Sequence, residues 1–212
     1  MDVLVAGGHG QIARHLLRLL AQQGHHAPGL IRNPDHAADL EADGAVPVLC
    51  DLEHDEALPH IGAAEAIVFA AGAGPGSGPE RKRTVDYGGA VKLIEAAEEL
   101  GVRRYLMVSS MGADDPASAS EAMGPYQQAK HDADEVLAGS SLDWTIVRPG
   151  GLTDEPGSGQ VAIAETLGRF GQVPREDVAL VLFECLGADS TIRKTFEVLE
   201  GDVPVRDAIA AL

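Results

Sequence analysis

The sequence predicts an α/β protein, a doubly wound parallel sheet with a small C-terminal cap. Three observations predict it. Short apolar runs of strand length alternate with helix-length segments whose apolar residues recur every three or four positions. The first run, Asp2-Val3-Leu4-Val5-Ala6, opens straight into a glycine turn, Gly7-Gly8-His9-Gly10-Gln11-Ile12-Ala13, and a helix follows. The run Ala66 to Ala71 is apolar at every position, as a strand buried on both faces requires.

The elements follow in chain order. Ile12, Leu16, Leu19 and Leu20 fall on one stripe of the first helix, which Gly24 closes. His26 to Ile31 is the second strand. Pro34 suits the first turn of a helix over about 34–43. Ala45 to Leu49 is a third strand, and a weak helical piece covers roughly 54–60. The fourth strand runs into Gly72-Ala73-Gly74-Pro75-Gly76-Ser77-Gly78-Pro79, either a flexible connector or a mobile loop over the nicotinamide end of a cofactor cleft. A long helix spans about 80–99, with Val85, Ala90, Val91, Ile94 and Ala97 inward and Gly101 as its stop. Arg81-Lys82-Arg83 at its start reads as a solvated cluster. Arg104 to Val108 is strand five, ending in Ser109-Ser110. After a polar loop, a helix runs from near Pro125 to about Ala138, and Asp143 to Val147 is strand six. From 152 onward the pattern is less regular: a helix over 174–186, a strand over 194–199 and a terminal helix over 205–212. Residues 152–212 are expected to form a small substrate-side cap on one domain covering 1–212, not a second domain.

Composition narrows the function classes. The chain has 212 residues, enough to bury an α/β core without disulfides or metal. Its 16 basic and 33 acidic residues leave a net charge of −17. That balance argues against nucleic-acid and anionic-membrane surfaces, which need basic patches. Cys50 and Cys185 are far apart and form no CxxC, so both read as reduced structural thiols; a reactive Cys50 near the cofactor is the alternative. With no membrane-length apolar run and no signal-peptide pattern, a cytoplasmic location is expected. None of the eight histidines pairs with a second ligand at metal-site spacing, so no metal is expected. The partner expected is a small-molecule substrate, with the chain a monomer or homodimer.

The glycine turn gives the fold its Rossmann-type reading. Gly7 makes the tight turn, Gly10 lets backbone approach a pyrophosphate, and Ala13 lets the helix pack close to the strand. The helix start, with Gln11 and Ile12, offers free N–H groups and a partial positive charge to phosphates. His9 lies in the turn, where it either touches pyrophosphate or faces water. An acid at the end of the second strand would select NAD; the chain reads Leu30-Ile31-Arg32-Asn33-Pro34 instead. A guanidinium at Arg32 matches a 2′-phosphate, and Asn33 can donate to it. NADP(H) is therefore expected over NAD(H), with a solvated strand-end arginine as the alternative. Asp51 beside Leu52 is placed to accept from an adenine amino group, or to cap a loop. Ala71 and Gly72 line the exit of strand four.

Tyr126-Gln127-Gln128-Ala129-Lys130 is a YxxxK, whose ends share one helix face. An ammonium beside a phenol favours the phenolate. Bringing a phenol from a pKa of about 10 to near neutrality takes roughly 4 kcal/mol, so a bound oxidised nicotinamide has to help one lysine do it. Ser110, or failing it Ser109, is expected to hydrogen-bond a substrate oxygen.

These residues together resemble the short-chain dehydrogenase/reductase superfamily, in its atypical NmrA-like NAD(P)H-binding subgroup. The resemblance rests on Gly7 to Ile12, Arg32-Asn33-Pro34, Asp51-Leu52, Val108-Ser109-Ser110, Tyr126 to Lys130, Thr145 to Gly150 and Arg175 to Ala179. It implies catalytic roles for Ser110, Tyr126 and Lys130, and puts Pro149 and Gly150 beside the nicotinamide. The function expected is an NADP(H)-dependent oxidoreductase moving hydride between nicotinamide and a small carbonyl or quinone-like substrate. The alternatives are a non-catalytic NADP(H)-binding redox sensor, or an epimerase or dehydratase with tightly held cofactor.

Overall fold

The computed structural model describes residues 1–74 and 76–212; Pro75, within the expected mobile loop, lies outside the described residues. Four fully buried residues form β1 (Val3–Ala6), and α1 (Gln11–Gln22) follows the glycine turn. Next come β2 (Pro28–Ile31), a 3₁₀ turn at Pro34–His36 that runs into α2 (Ala37–Ala42), β3 (Val46–Leu49), α3 (Leu58–Ile61) and β4 (Ala66–Phe69). The long helix has three parts: α4 (Pro79–Arg81), a π-helical stretch at Lys82–Gly89, and α5 (Ala90–Leu100). Gly101 ends it in the left-handed conformation, φ 72°. Then β5 (Arg104–Val108), α6 (Gly124–Gly139) and β6 (Asp143–Pro149) complete the predicted alternation.

These strands stand in the order β3-β2-β1-β4-β5-β6, all parallel. The chain builds outward from β1 to β3, then returns to place β4 on the other side of β1. That reversal opens a crevice at the carboxyl ends of β1 and β4, where doubly wound sheets bind ligands.

Strand alternation feeds two cores. Val3, Val5, Val68, Leu106 and Val147 face Leu16, Leu17 and Leu20 of α1 on one side. Leu4, Ala6, Ile67, Phe69, Tyr105 and Met107 face Leu93, Ile94, Ala133 and Leu137 on the other. Each buried leucine contributes about 1.5–3 kcal/mol of transfer free energy.

The last third of the chain adds β7 (Gly151–Thr153), β8 (Gln160–Ala164), β9 (Gln172–Pro174), α7 (Arg175–Leu186), β10 (Lys194–Glu200), β11 (Val203–Pro204) and α8 (Val205–Ala210). This region is built in more deeply than a cap. β10 pairs parallel with β6, β8 pairs antiparallel with β10, and β11 pairs with β8, so among the described residues the main sheet has nine strands. The apolar Val178, Val181 and Leu182 bring α7 into the core shared with α1. The half-buried Arg104 guanidinium fastens the join, donating to Asp143 O, Thr145 Oγ1, Cys185 O and Thr191 Oγ1 at 2.5–2.9 Å. From this region Thr166, Gly168, Arg169, Phe170 and Glu197 line a second cavity, of about 500 Å³, opposite the loop 111–123.

Candidate active site

The turn after β1 is shaped by glycine. Gly7 has φ 77°, and a Cβ there would lie 2.6 Å from Ala71 Cα. A Cβ on Gly10 would sit 3.0 Å from Gly7 O. The turn therefore presses backbone against the end of β4 and leaves its outer face bare. No side chain caps α1, and no acidic residue occupies its first turn. The first N–H groups and the positive helix end are thus available to an anion. A pyrophosphate fits this cradle in size, charge and donor set.

A cleft of about 250 Å³ opens beside it, lined by Gly7, His9, Gly10, Arg32, Asp51, Leu52, Ala71 and Gly72 among others. Eight expected cofactor residues thus meet in one place. Arg32 stands exposed at the end of β2. Asp51 Oδ1 accepts from Glu53 N at 3.0 Å, so the carboxylate closes its own turn while lining the cleft. His9 Nε2 pairs with Asp39 at 2.8 Å, and its ring stacks on His36 at 3.5 Å. The hydrogen bond from His9, aided by Arg14, holds the Asp39 carboxyl below its ordinary range.

Other expected residues sit differently. Asn33 uses its side-chain oxygen to cap the 3₁₀ turn, accepting from Asp35 N at 3.1 Å. Gln11 turns its amide to Asp154, and Ile12 is buried in the core, so neither side chain lines the cleft. Ser109 is buried and donates to Asp134 at 2.9 Å, a carboxylate that also takes two bonds from Arg148. Burial pushes the Asp134 carboxyl up, against the pull of Arg148 and Ser109. Period-two alternation then leaves Ser110 as the serine on the open side. Its hydroxyl accepts from Gln127 Nε2 at 3.3 Å, which sets it beside the first turn of α6 that carries Tyr126.

Lys130 is buried, not exposed. It donates to Val108 O at 3.0 Å, pairs with Asp86 at 3.4 Å, and lies 5.8 Å from the centroid of the Tyr126 ring. Burial alone would pull its pKa down; facing Tyr126, Asp86 and Asp134, it is held above its ordinary value. Asp86 comes from the π-helical stretch, and its other oxygen accepts from Ala73 N at 3.0 Å. Pro149 and Gly150 end β6 next to this loop: Pro149 O accepts from Met111 N at 3.0 Å, and Gly150 packs against Leu199 and Gly171.

The cleft also takes residues outside the expected cofactor set. His36, Cys50, Glu53, Arg81 and Val85 also line the cleft. Arg81, expected in a solvated cluster, pairs with Glu53 at 3.2 Å over the cleft, because α4 begins directly above that carboxylate. In the same cluster Arg83 pairs with Asp132 at 2.6 Å. Cys50 is no reactive thiol: burial, with Asp55 and Asp51 nearby, pushes its pKa up to about 11. Among the described residues, no group of three or more His, Cys, Asp or Glu is arranged to hold a metal ion. Nor is any helix there long and apolar enough to cross a membrane.

A sheet ordered around the β1–β4 crevice, a bare glycine turn and an uncapped helix define a pyridine-nucleotide-binding protein of Rossmann type. The family model described as NAD(P)H-binding matches residues 7–189, and the chain belongs to that family. A Bacillus subtilis protein named as an uncharacterized sugar epimerase, YhfK, is 39% identical over the full length of both chains. A solved Bacillus halodurans structure, described as a candidate NAD-dependent epimerase/dehydratase, is 40% identical, covers both chains completely and superposes with a TM-score of 0.96. A short-chain dehydrogenase/reductase from Veillonella parvula, solved with NADP, shares the fold at 19% identity and a TM-score of 0.76, over 96% of each chain.

Proposed function

We propose that the protein is an NADP(H)-dependent oxidoreductase acting on a small carbonyl or quinone-like substrate. The observation that carries this reading is Arg32 lining the same cleft as the bare glycine turn, with no acid at the end of β2. A guanidinium there pairs with a 2′-phosphate, whereas a ribose hydroxyl would call for a carboxylate. The α1 N-terminus holds the pyrophosphate, and Asp51 faces the adenine. When bound, the nicotinamide supplies or accepts the hydride.

The protein's own part is proton handling and orientation. Ser110, which accepts from Gln127 and donates to Met111 O, turns its hydroxyl from that carbonyl to the substrate oxygen. The Tyr126 hydroxyl gives that oxygen its proton during reduction and takes it back during oxidation. The Lys130 ammonium, fixed by Val108 O and Asp86, favours negative charge as it develops on the phenol oxygen. The remaining Lys130 N–H can reach a ribose hydroxyl.

One observation favours a second reading. Lys130 is already paired with a buried carboxylate, which offsets part of its effect on Tyr126. A redox sensor that binds NADP(H) without turnover needs no more than this. The name of the Bacillus subtilis relative suggests sugar epimerisation, a variant in which the cofactor stays bound through the cycle.

The deciding experiment is a paired titration of the purified protein with NADPH and NADH, beside Arg32→Ala. Hydrogen bonds to a charged group are worth about 1.5–3 kcal/mol, so NADPH affinity should fall about 10–100-fold in the variant with NADH little changed. Equal binding of both nucleotides by the wild type removes Arg32 from the site.

A further inference from the structure

Three basic residues open the long helix, where cations oppose the positive helix end. Two of them are paired with carboxylates. Arg81 meets Glu53 at 3.2 Å, and Arg83 meets Asp132 at 2.6 Å while lying over the Tyr87 ring. Lys82, between them, has no salt bridge and no side-chain hydrogen bond among the described residues, in a chain with 33 acidic residues. Its Nζ stands over the Tyr126 ring instead, 5.8 Å from the centroid.

The placement follows from two helices that pack side by side. The π-helical stretch runs along α6. Lys82 and Asp86 are four positions apart on the first, and Tyr126 and Lys130 four apart on the second. Each pair therefore falls on one face of its helix. Arg83 with Asp132, and Asp86 with Lys130, join the two helices. The phenol ring thus has two ammonium groups at the same distance, since Lys130 Nζ also lies 5.8 Å from its centroid. The two are not equivalent. Lys130 is buried, with Asp86 at 3.4 Å and Asp134 facing it as well, and those carboxylates offset its charge. Lys82 is half-buried and has no carboxylate against it. A cation is attracted to a neutral aromatic face, and more strongly to a phenolate.

We propose that Lys82 is a positioning residue for the Tyr126 proton: its unpaired ammonium favours the phenolate and makes up the positive charge that Asp86 offsets at Lys130. Two lysines on two helices, one neutralised and one free, then set how readily the phenol ionises. Unit charges about 6 Å apart near a protein surface change an ionisation equilibrium about three- to tenfold. In the oxidation direction Tyr126 accepts the proton, so turnover near neutrality scales with the phenolate fraction. That consequence for turnover rests on the proposed oxidoreductase function; the effect on the phenol does not.

Near-ultraviolet phenolate absorbance tests this without turnover. The wild-type protein, Lys82→Met and Lys82→Arg are titrated with base at low salt. Each curve has that of the matching protein with Tyr126→Phe subtracted, so that Tyr87 and Tyr105 cancel. Lys82→Met keeps the apolar stem and removes no bond that the fold uses, and circular dichroism checks the fold at each pH. The comparison is made on the lower part of the curve, below the pH of about 10.4 at which a free lysine gives up its charge. There Lys82→Met should hold about three- to tenfold less phenolate than wild type, and Lys82→Arg should follow wild type. High salt should close the gap. A Lys82→Met curve that coincides with wild type overturns the proposal. So does a Lys82→Arg curve displaced as far as that of Lys82→Met, or a gap indifferent to salt. A displaced curve in a protein that turns over no carbonyl or quinone keeps the role of Lys82 and removes the oxidoreductase reading. Turnover with coincident curves keeps that reading and removes Lys82.

Discussion

Tyr126 shows how much one residue depends on its setting. The Tyr–Lys spacing was readable in the sequence because helix geometry puts i and i+4 on one face. What holds the lysine was not. Asp86 sits on a different helix, 44 positions away, and nothing local marks it as the partner of Lys130. The surroundings of Ser109 and Ser110 were equally hidden, because Asp134, itself held by Arg148, takes the Ser109 hydroxyl from 25 positions away. If Tyr126 carries the proton, Tyr126→Phe removes one hydroxyl and nothing that the fold uses. General acid–base catalysis contributes about 10²–10⁴-fold, so turnover should drop by that factor while the NADPH dissociation constant stays within about twofold. Steady-state kinetics beside a cofactor titration reads both. Turnover at the wild-type rate would remove Tyr126 from the mechanism and leave the sensor reading standing.

At the scale of elements, the sequence showed best what repeats. β1, β4, β5 and α6 were legible from apolar runs and period, and Gly7 from its place between strand and helix. The short strands β7, β8, β9 and β11 were not, because their partners lie elsewhere in the chain and two to five residues carry little pattern. The π-helical stretch was also unreadable, since its widened turns answer to tertiary contacts such as Asp86 with Lys130 and Ala73. Contacts between elements can nonetheless be tested singly. Asp43, at the C-terminal end of α2, accepts from Arg14 at 2.6 Å and from Arg18 at 2.7 Å, locking α2 against α1. Burial works against the charged form, but the two guanidinium groups prevail and hold the carboxyl below its ordinary range. A depressed carboxyl stabilises fully above the unfolded value of about pH 4, and the gain disappears as pH falls through the folded value. Asp43→Asn should therefore cost about 1–2 kcal/mol at pH 7, between exposed and buried ion pairs. The wild-type advantage should shrink toward zero near pH 2. Urea unfolding at the two pH values measures the difference; an equal gap at both would mean the carboxylate charge is not what locks α2.

For the whole molecule, the question is whether the last third of the chain folds as a separate piece. The sheet argues that it does not. β10 lies between β6 and β8, so removing residues 152–212 would strip the β6 edge and expose the α1 face that α7 covers. Arg104 makes the dependence mutual. It starts β5 in the first half, yet two of its bonds go to Cys185 and Thr191, so both parts of the chain share one half-buried guanidinium. Among the described residues, the cleft beside the glycine turn is lined from within 7–85, while the cavity between the loops 111–123 and 165–171 takes lining from both sides of position 152. Cofactor binding should therefore stabilise elements it never touches. A ligand at 100 times its dissociation constant stabilises the native state by about 2.7 kcal/mol, which in a chain of this size raises the melting temperature by roughly 5–10 °C. Scanning calorimetry should show one transition, moved as a whole by NADPH. Two transitions, with only the first responding to cofactor, would mean that residues 152–212 form an independent unit and that the shared sheet does not couple the two sites.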